Sequence, residues 1–124
     1  MVMNNLKIYK IEIDLLSYLY NEIGCEKFTT YLTLVKNIER EFTGIGAYIS
    51  FEFHKKERLS IESLRSVRLT GPMIHSDEFE HNVLVSYVFD EIGVLDYIEF
   101  EFGMKERKYP SKYSFAEPNI NIIP

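Results

Sequence analysis

The chain has 124 residues, 46% of them hydrophobic and 27% charged, which suits one domain with one core and leaves no room for two. A formal net charge of −5 argues against broad affinity for nucleic acid and favours a basic partner. The single cysteine, Cys25, excludes an intramolecular disulfide and a cysteine-based zinc site, as expected of a reducing compartment.

The segment Met1 to Lys10 lacks the basic-then-apolar order of a signal peptide, and no apolar run approaches the roughly 20 residues that cross a bilayer. A cytoplasmic protein without membrane contact is the expectation. Nine tyrosines, nine phenylalanines and no tryptophan point to recognition, because a tyrosine ring offers area at low entropic cost and a hydroxyl that finds a partner.

Between Leu6 and Ile23 two periods compete. Tyr9, Ile11, Ile13 and Leu15 alternate with charged residues, while Leu6, Tyr9, Ile13, Leu16, Tyr20 and Ile23 step by three and four. The reading adopted is a strand over Leu6 to Ile13, then a short helix with Asp14 as its N-cap, stopping at Gly24. One continuous helix is the alternative.

Glu26 to Phe42 reads as the clearest helix, since Phe28, Tyr31, Leu32, Val35, Ile38 and Phe42 form one stripe, with Lys36, Glu39, Arg40 and Glu41 beside or opposite it. Thr43-Gly44-Ile45-Gly46 ends it. The period then becomes two: Ile49, Phe51 and Phe53 share one face of a strand that begins at Tyr48. A polar turn over His54 to Arg58 leads to Ser63–Thr70, the expected hairpin partner, closed by Gly71-Pro72.

Met73 to Asn82 reads as a polar connection. Val83 to Phe89 and Leu95 to Phe102 flank the turn Asp90 to Val94 as a second hairpin. A basic, proline-punctuated tail begins at Met104, and Asn119 to Pro124 is read as an added edge strand or a frayed end. The expected class is therefore α+β: an antiparallel sheet of about four to six strands packed against N-terminal helices. The whole chain forms one domain, helical over about 14–43, sheet over about 47–103, and tail over 104–124.

Residues 48–58 and 97–107 match at eight of eleven positions. The match is either an internal repeat or two amphipathic strands drawing on the same few residue types. In both cases Ile49, Phe51 and Phe53 should correspond to Ile98, Phe100 and Phe102 toward the core. Tyr48 and Glu52 should correspond to Tyr97 and Glu101 away from it.

Between Arg68 and Lys105 there is no Lys or Arg but eight acids: Asp77, Glu78, Glu80, Asp90, Glu91, Asp96, Glu99 and Glu101. Alternation puts Glu99 and Glu101 on the outer face with Tyr97, as Glu52 lies with Tyr48, which predicts an acidic surface set with tyrosines. Such a surface fits a basic protein, the acids speeding encounter and the tyrosines anchoring. The competing reading is a solvated sheet face whose acids discourage edge aggregation.

His75, Asp77, Glu78 and His81 have the residue types of a metal or acid-base site, so a metal-dependent hydrolase is a second expectation, although their spacing is not that of the helical zinc motif. Cys25 lacks an identifiable base and reads as a small buried residue. Lys55, Lys56, Arg58, Arg65 and Arg68 form a basic zone interrupted by Glu57 and Glu62, without a stacking platform for nucleic acid. A self-associating module, pairing an edge strand across a two-fold axis, is the third expectation.

Compact size, acidity, tyrosine content and the absence of a catalytic motif together resemble the small immunity proteins of bacterial contact-dependent inhibition and polymorphic-toxin systems. The resemblance is one of type, and it carries no residue-by-residue roles. It implies a protein without cofactor that neutralises a cognate toxin domain, often a nuclease. The partner surface would comprise Tyr48, Glu52, Asp77, Glu78, Glu80, Asp90, Glu91, Asp96, Tyr97, Glu99 and Glu101.

Overall fold

The computed structural model describes residues 7–24, 28–106 and 108–116. Its first element is a helix, α1 (Lys10–Glu22). The expected strand over Leu6 to Ile13 is thus corrected from Lys10 onward, and Leu6 lies outside the described residues. Ile11, Leu15, Leu16, Leu19 and Tyr20 are buried along one side. That spacing sinks one face of a helix and would leave a strand half exposed on each side.

The N-cap is Tyr9 rather than Asp14. Glu12, three residues on, accepts the Tyr9 backbone N–H through Oε1 at 3.0 Å, satisfying one of the donors a helix start leaves unpaired. Asp14 is one turn inside the helix, where it accepts from Lys10 Nζ at 2.8 Å and from the Tyr113 hydroxyl at 2.6 Å. The helix stops as expected, with Gly24 in the left-handed region at φ +64°.

The long helix expected over Glu26 to Phe42 is replaced by a short one, α2 (Phe28–Leu34), and a strand, β1 (Val35–Phe42). β1 pairs with β2 (Gly44–Phe53) with Val35 opposite Phe53 but Asn37 opposite Glu52, so Lys36 is an extra residue in the ladder. The bulge puts Val35 and Ile38, three apart, on the same buried side. A helix would do the same. Beyond the bulge the period is two, with Ile38, Arg40 and Phe42 turned inward and Asn37, Glu39 and Glu41 outward.

Arg40 on the inner face is balanced by α1. Its Nε donates to Glu12 Oε2 and its second guanidinium nitrogen to Oε1, each at 2.6 Å. Glu12 is fully buried, and the Tyr109 hydroxyl donates to it as well, at 2.6 Å. Burial, reinforced by the neighbouring Glu12 charge, drives the Tyr109 pKa up, so this hydroxyl keeps the proton it donates. The Arg40 guanidinium also covers the Tyr9 ring, 4.7 Å from its centre. A buried carboxylate with a forked guanidinium, a backbone N–H and a phenol has its acceptor sites filled, the condition under which a buried ion is tolerated.

After a tight turn at Thr43-Gly44, with Gly44 at φ +96°, β2 runs back along β1. It therefore has a nearer partner than Ser63–Thr70, and the hairpin expected between those two segments does not form. Only Arg68–Thr70 of the latter is a strand, β3, while Lys56–Leu59 and Glu62–Leu64 are single 3-10 turns. Met73–His75, within the expected polar connection, is a further strand, β4.

The second hairpin forms as expected from β5 (Leu84–Phe89) and β6 (Leu95–Glu106). Ser114–Ala116 of the tail is β7, which pairs with β4 in a small separate ladder. Residues 119–124 lie outside the described residues. The main sheet is antiparallel with five strands in the order β1-β2-β6-β5-β3. The fold is α+β with an N-terminal helix.

The two echoing segments are the central pair of this sheet, antiparallel, with Ile49 opposite Ile98. Ile49, Phe51, Ile98, Phe100 and Phe102 are buried and Phe53 partly so, while Tyr48, Glu52, Tyr97 and Glu101 face away. Gly44 and Gly93, also 49 residues apart, both take positive φ, +96° and +82°, so each echoing strand is entered through a left-handed glycine. Both helices lie on the inner face: the Tyr87 hydroxyl donates to the Leu15 carbonyl, and Tyr31 packs edge-on against Phe53 at 5.0 Å.

The β5–β6 turn is held from within. Asp90 Oδ1 accepts the N–H groups of Ile92 and Val94, both at 3.0 Å, and Oδ2 meets Lys56 Nζ at 3.1 Å. Gly93 is irreplaceable there, since a Cβ would collide with the Ile61 carbonyl.

Two outcomes follow. Arg40→Leu strands the Glu12 charge and should cost about 3–5 kcal/mol in urea unfolding, whereas the double variant Glu12→Leu/Arg40→Leu should recover most of it; equal losses in both would remove the ion pair from the account. Burial pulls the Asp90 carboxyl up, but the two N–H groups and Lys56 outweigh it and hold its pKa below the ordinary value. Its contribution is then complete above roughly pH 4 and is lost as pH falls through the lowered value. Asp90→Asn should therefore be less stable than the parent by a constant amount above about pH 5, with the gap closing in acid; parallel melting profiles from pH 7 to 2.5 would contradict this.

Candidate functional surface

With the helices gathered on one side, the other face of the sheet is built from outward residues alone. In register across β1, β2, β6, β5 and β3 run Glu41, Tyr48, Glu99, Ser86 and Thr70, and beside them Glu39, Ser50, Tyr97, Val88 and Arg68. Gly46, Glu101 and Leu84 form a third, shorter row. The Tyr48 and Tyr97 rings meet edge to face at 5.8 Å, a favourable geometry for an aromatic pair.

Five of the expected site residues, Tyr48, Glu52, Tyr97, Glu99 and Glu101, are thus on one face. The other six are elsewhere. Asp90 is spent on its turn. Asp96 is the residue skipped where Val88 pairs with Tyr97 but Phe89 with Leu95, so it bulges outward at the start of β6. Glu91 is exposed beside Asp90.

Asp77, Glu78 and Glu80 belong to the loop after β4. Glu78 there accepts the Lys112 backbone N–H at 2.8 Å and the Ser111 hydroxyl at 2.9 Å, bonds that lower its pKa. It holds the tail segment in place. His75 lies 3.5 Å from Asp77 and bonds Asn82 at 3.1 Å, while His81 lies against Gly103. Among the described residues no three of His, Cys, Asp and Glu come together as a metal-binding group.

The face also contains residues that sequence reasoning missed. Glu39 and Glu41 fall in the segment whose periodicity reads as a helix; as outward residues of β1 they extend the acidic field across the sheet. Of the outer glutamates, Glu52 pairs with Lys36 at 3.1 Å and Glu99 with Arg68 at 2.8 Å. Glu39, Glu41 and Glu101 meet no Lys or Arg among the described residues.

Ile45 and Leu84 are the other two. Ile45 sits at the bulge where Gly44 pairs with Glu106 but Gly46 with Glu101, and it is 70% exposed; Leu84 opens β5 and is 49% exposed. With Tyr48, at 38%, they line an open groove of about 500 Å³ whose other walls include Asn82, Glu99, Glu101 and Gly103. Gly46 also lines the groove, and its strand runs so close to β6 that a Cβ would strike the Phe100 carbonyl. A signal for Leu84 was present: in Val83-Leu84-Val85 three apolar residues follow one another, and alternation must send the middle one outward.

Chemically, the face offers carboxylates, phenols and an apolar groove. It presents acceptors for cations and area for burial. No helix of the described chain is long and apolar enough to cross a membrane. Comparison with protein-family models, with curated proteins and with solved structures finds no match to this chain.

Proposed function

We propose that this chain is a cytoplasmic binding protein of the immunity type, which neutralises a basic bacterial toxin domain by covering it with the outer face of its sheet. The observation that carries the reading is the composition of that face. Solubility alone is served by a polar outer surface, and a protected sheet edge by a few charges. Neither requires Ile45, Tyr48 and Leu84 to be left in the open around one groove, nor Glu39, Glu41 and Glu101 to meet no Lys or Arg among the described residues. An apolar centre with a charged rim is the anatomy of a protein interface.

The charge of the rim indicates the partner. A domain that cleaves or binds nucleic acid carries the cationic surface that such a rim complements, so a nuclease toxin is the partner class favoured. Steering by the unpaired glutamates would raise the encounter rate, and burial of the apolar groove would slow dissociation.

The test is co-expression with the product of the adjacent reading frame. The expected result is a toxic product whose effect on growth is relieved by the parent chain. The charge-reversed variant Glu39→Lys/Glu41→Lys/Glu101→Lys, folded by circular dichroism, should associate with it at least about tenfold more slowly at low salt. A harmless neighbouring product, or a complex indifferent to the three reversals and to ionic strength, overturns the proposal.

A further inference from the structure

Resting on that reading, the geometry points to the occupant of the groove: we propose that it receives an arginine side chain of the partner, its guanidinium on Glu101 and its aliphatic stem between Tyr48 and Leu84. Arg68 lies on this same face, its guanidinium 2.8 Å from Glu99 and within electrostatic reach of Tyr97 and Tyr48. The face therefore already accommodates one guanidinium among a carboxylate and two phenols.

Glu101, two residues along β6, points the same way and stands opposite Leu84 on one side and Gly46 on the other. It shares the face of Glu99 and meets no Lys or Arg among the described residues. In place of Arg68 there is the open groove, with Tyr48, Leu84 and Ile45 as walls. Gly46, opposite Glu101, adds a wall without a side chain.

The walls select the kind of cation. A lysine ammonium is compact and strongly hydrated and loses water at an apolar wall, whereas a guanidinium is planar, weakly hydrated and able to lie on a phenol ring while donating two parallel bonds to a carboxylate. An arginine stem also covers aliphatic surface such as Leu84 and Ile45. Charge complementarity and wall chemistry thus agree on one residue type.

The probe is the capped pentapeptide Gly-Leu-Arg-Leu-Gly, titrated at low salt into the isotope-labelled full chain and followed by NMR. Companion peptides carry lysine or the neutral isostere citrulline at the centre. Shifts are expected at Tyr48, Leu84, Glu99 and Glu101, with binding about fivefold or more weaker for lysine and about tenfold or more weaker for citrulline. Glu101→Gln should reduce the arginine peptide to the citrulline level, and Arg68→Ala, which frees Glu99, should tighten it.

Equal binding of the arginine and citrulline peptides, shifts that lie outside the groove, or full affinity in Glu101→Gln would overturn the inference. These failures are separable from failure of the immunity reading. If the toxin is still neutralised and the triple charge reversal still impairs it, only the groove assignment is lost. If the arginine peptide binds as described but no toxic partner exists, the groove stands and the partner class falls.

Discussion

The pairing of Arg40 with the buried Glu12 carboxylate is the constraint on which the arrangement depends. A guanidinium on the inner side of an edge strand has to be met by a counter-charge or be driven back to water. Glu12 meets it from the first turn of α1, and because the same carboxylate also caps that helix through the Tyr9 N–H, the helix start, the edge strand and the tail at Tyr109 are fixed by one group. Apolar burial of Leu15, Leu16 and Leu19 supplies most of the favourable free energy, at about 1.5–3 kcal/mol for each fully buried side chain. Burial has no direction, however. The ion pair decides where along β1 the helix sits.

A second consequence follows for the opposite face. With α1 locked to the inner side and α2 beside it through Tyr31, the β1 residues that point away from Glu12 have no helix or strand over them among the described residues. Strand geometry leaves no choice: if Arg40 is inward, Glu39 and Glu41 are outward. The buried carboxylate and the unpaired acidic surface are therefore two results of one register, and a slip of one residue would exchange them.

How much of this could be read from the residues alone depends on where the information resides. Hydrophobic alternation in Ile49 to Phe53 and Ile98 to Phe102 is local, and both strands, the turn at Asp90 and the outward set Tyr48, Glu52, Tyr97, Glu99 and Glu101 were legible from it. β1 was not. Its bulge at Lys36 creates a three-residue step between Val35 and Ile38, and Arg40 at an inward position looks like a polar helix face until its partner 28 residues earlier is known. Periodicity cannot see a counter-ion. The same blindness put Asp90 and Glu78 among the surface acids, although their carboxylates are occupied by backbone N–H groups. In composition a capping aspartate and a partner-seeking one are identical.

Acidity and function are therefore linked more narrowly than net charge suggests. Of the eight acids in the base-free stretch, Glu78 and Asp90 hold the tail and the β5–β6 turn, Asp96 sits in a bulge, and Glu99 and Glu101 belong to the paired rows of the outer face. Two more came from a segment that counts as mixed in charge. What distinguishes this face is the coincidence of glutamates that meet no Lys or Arg among the described residues with exposed Ile45, Tyr48 and Leu84. Like charges gathered on a sheet repel one another and lower stability by a small amount that salt would screen, and exposed aliphatic groups beside them gain nothing in the isolated chain. Both features oppose the free molecule's own interest in the same place, and a cationic partner with apolar neighbours around its charge would relieve both at once.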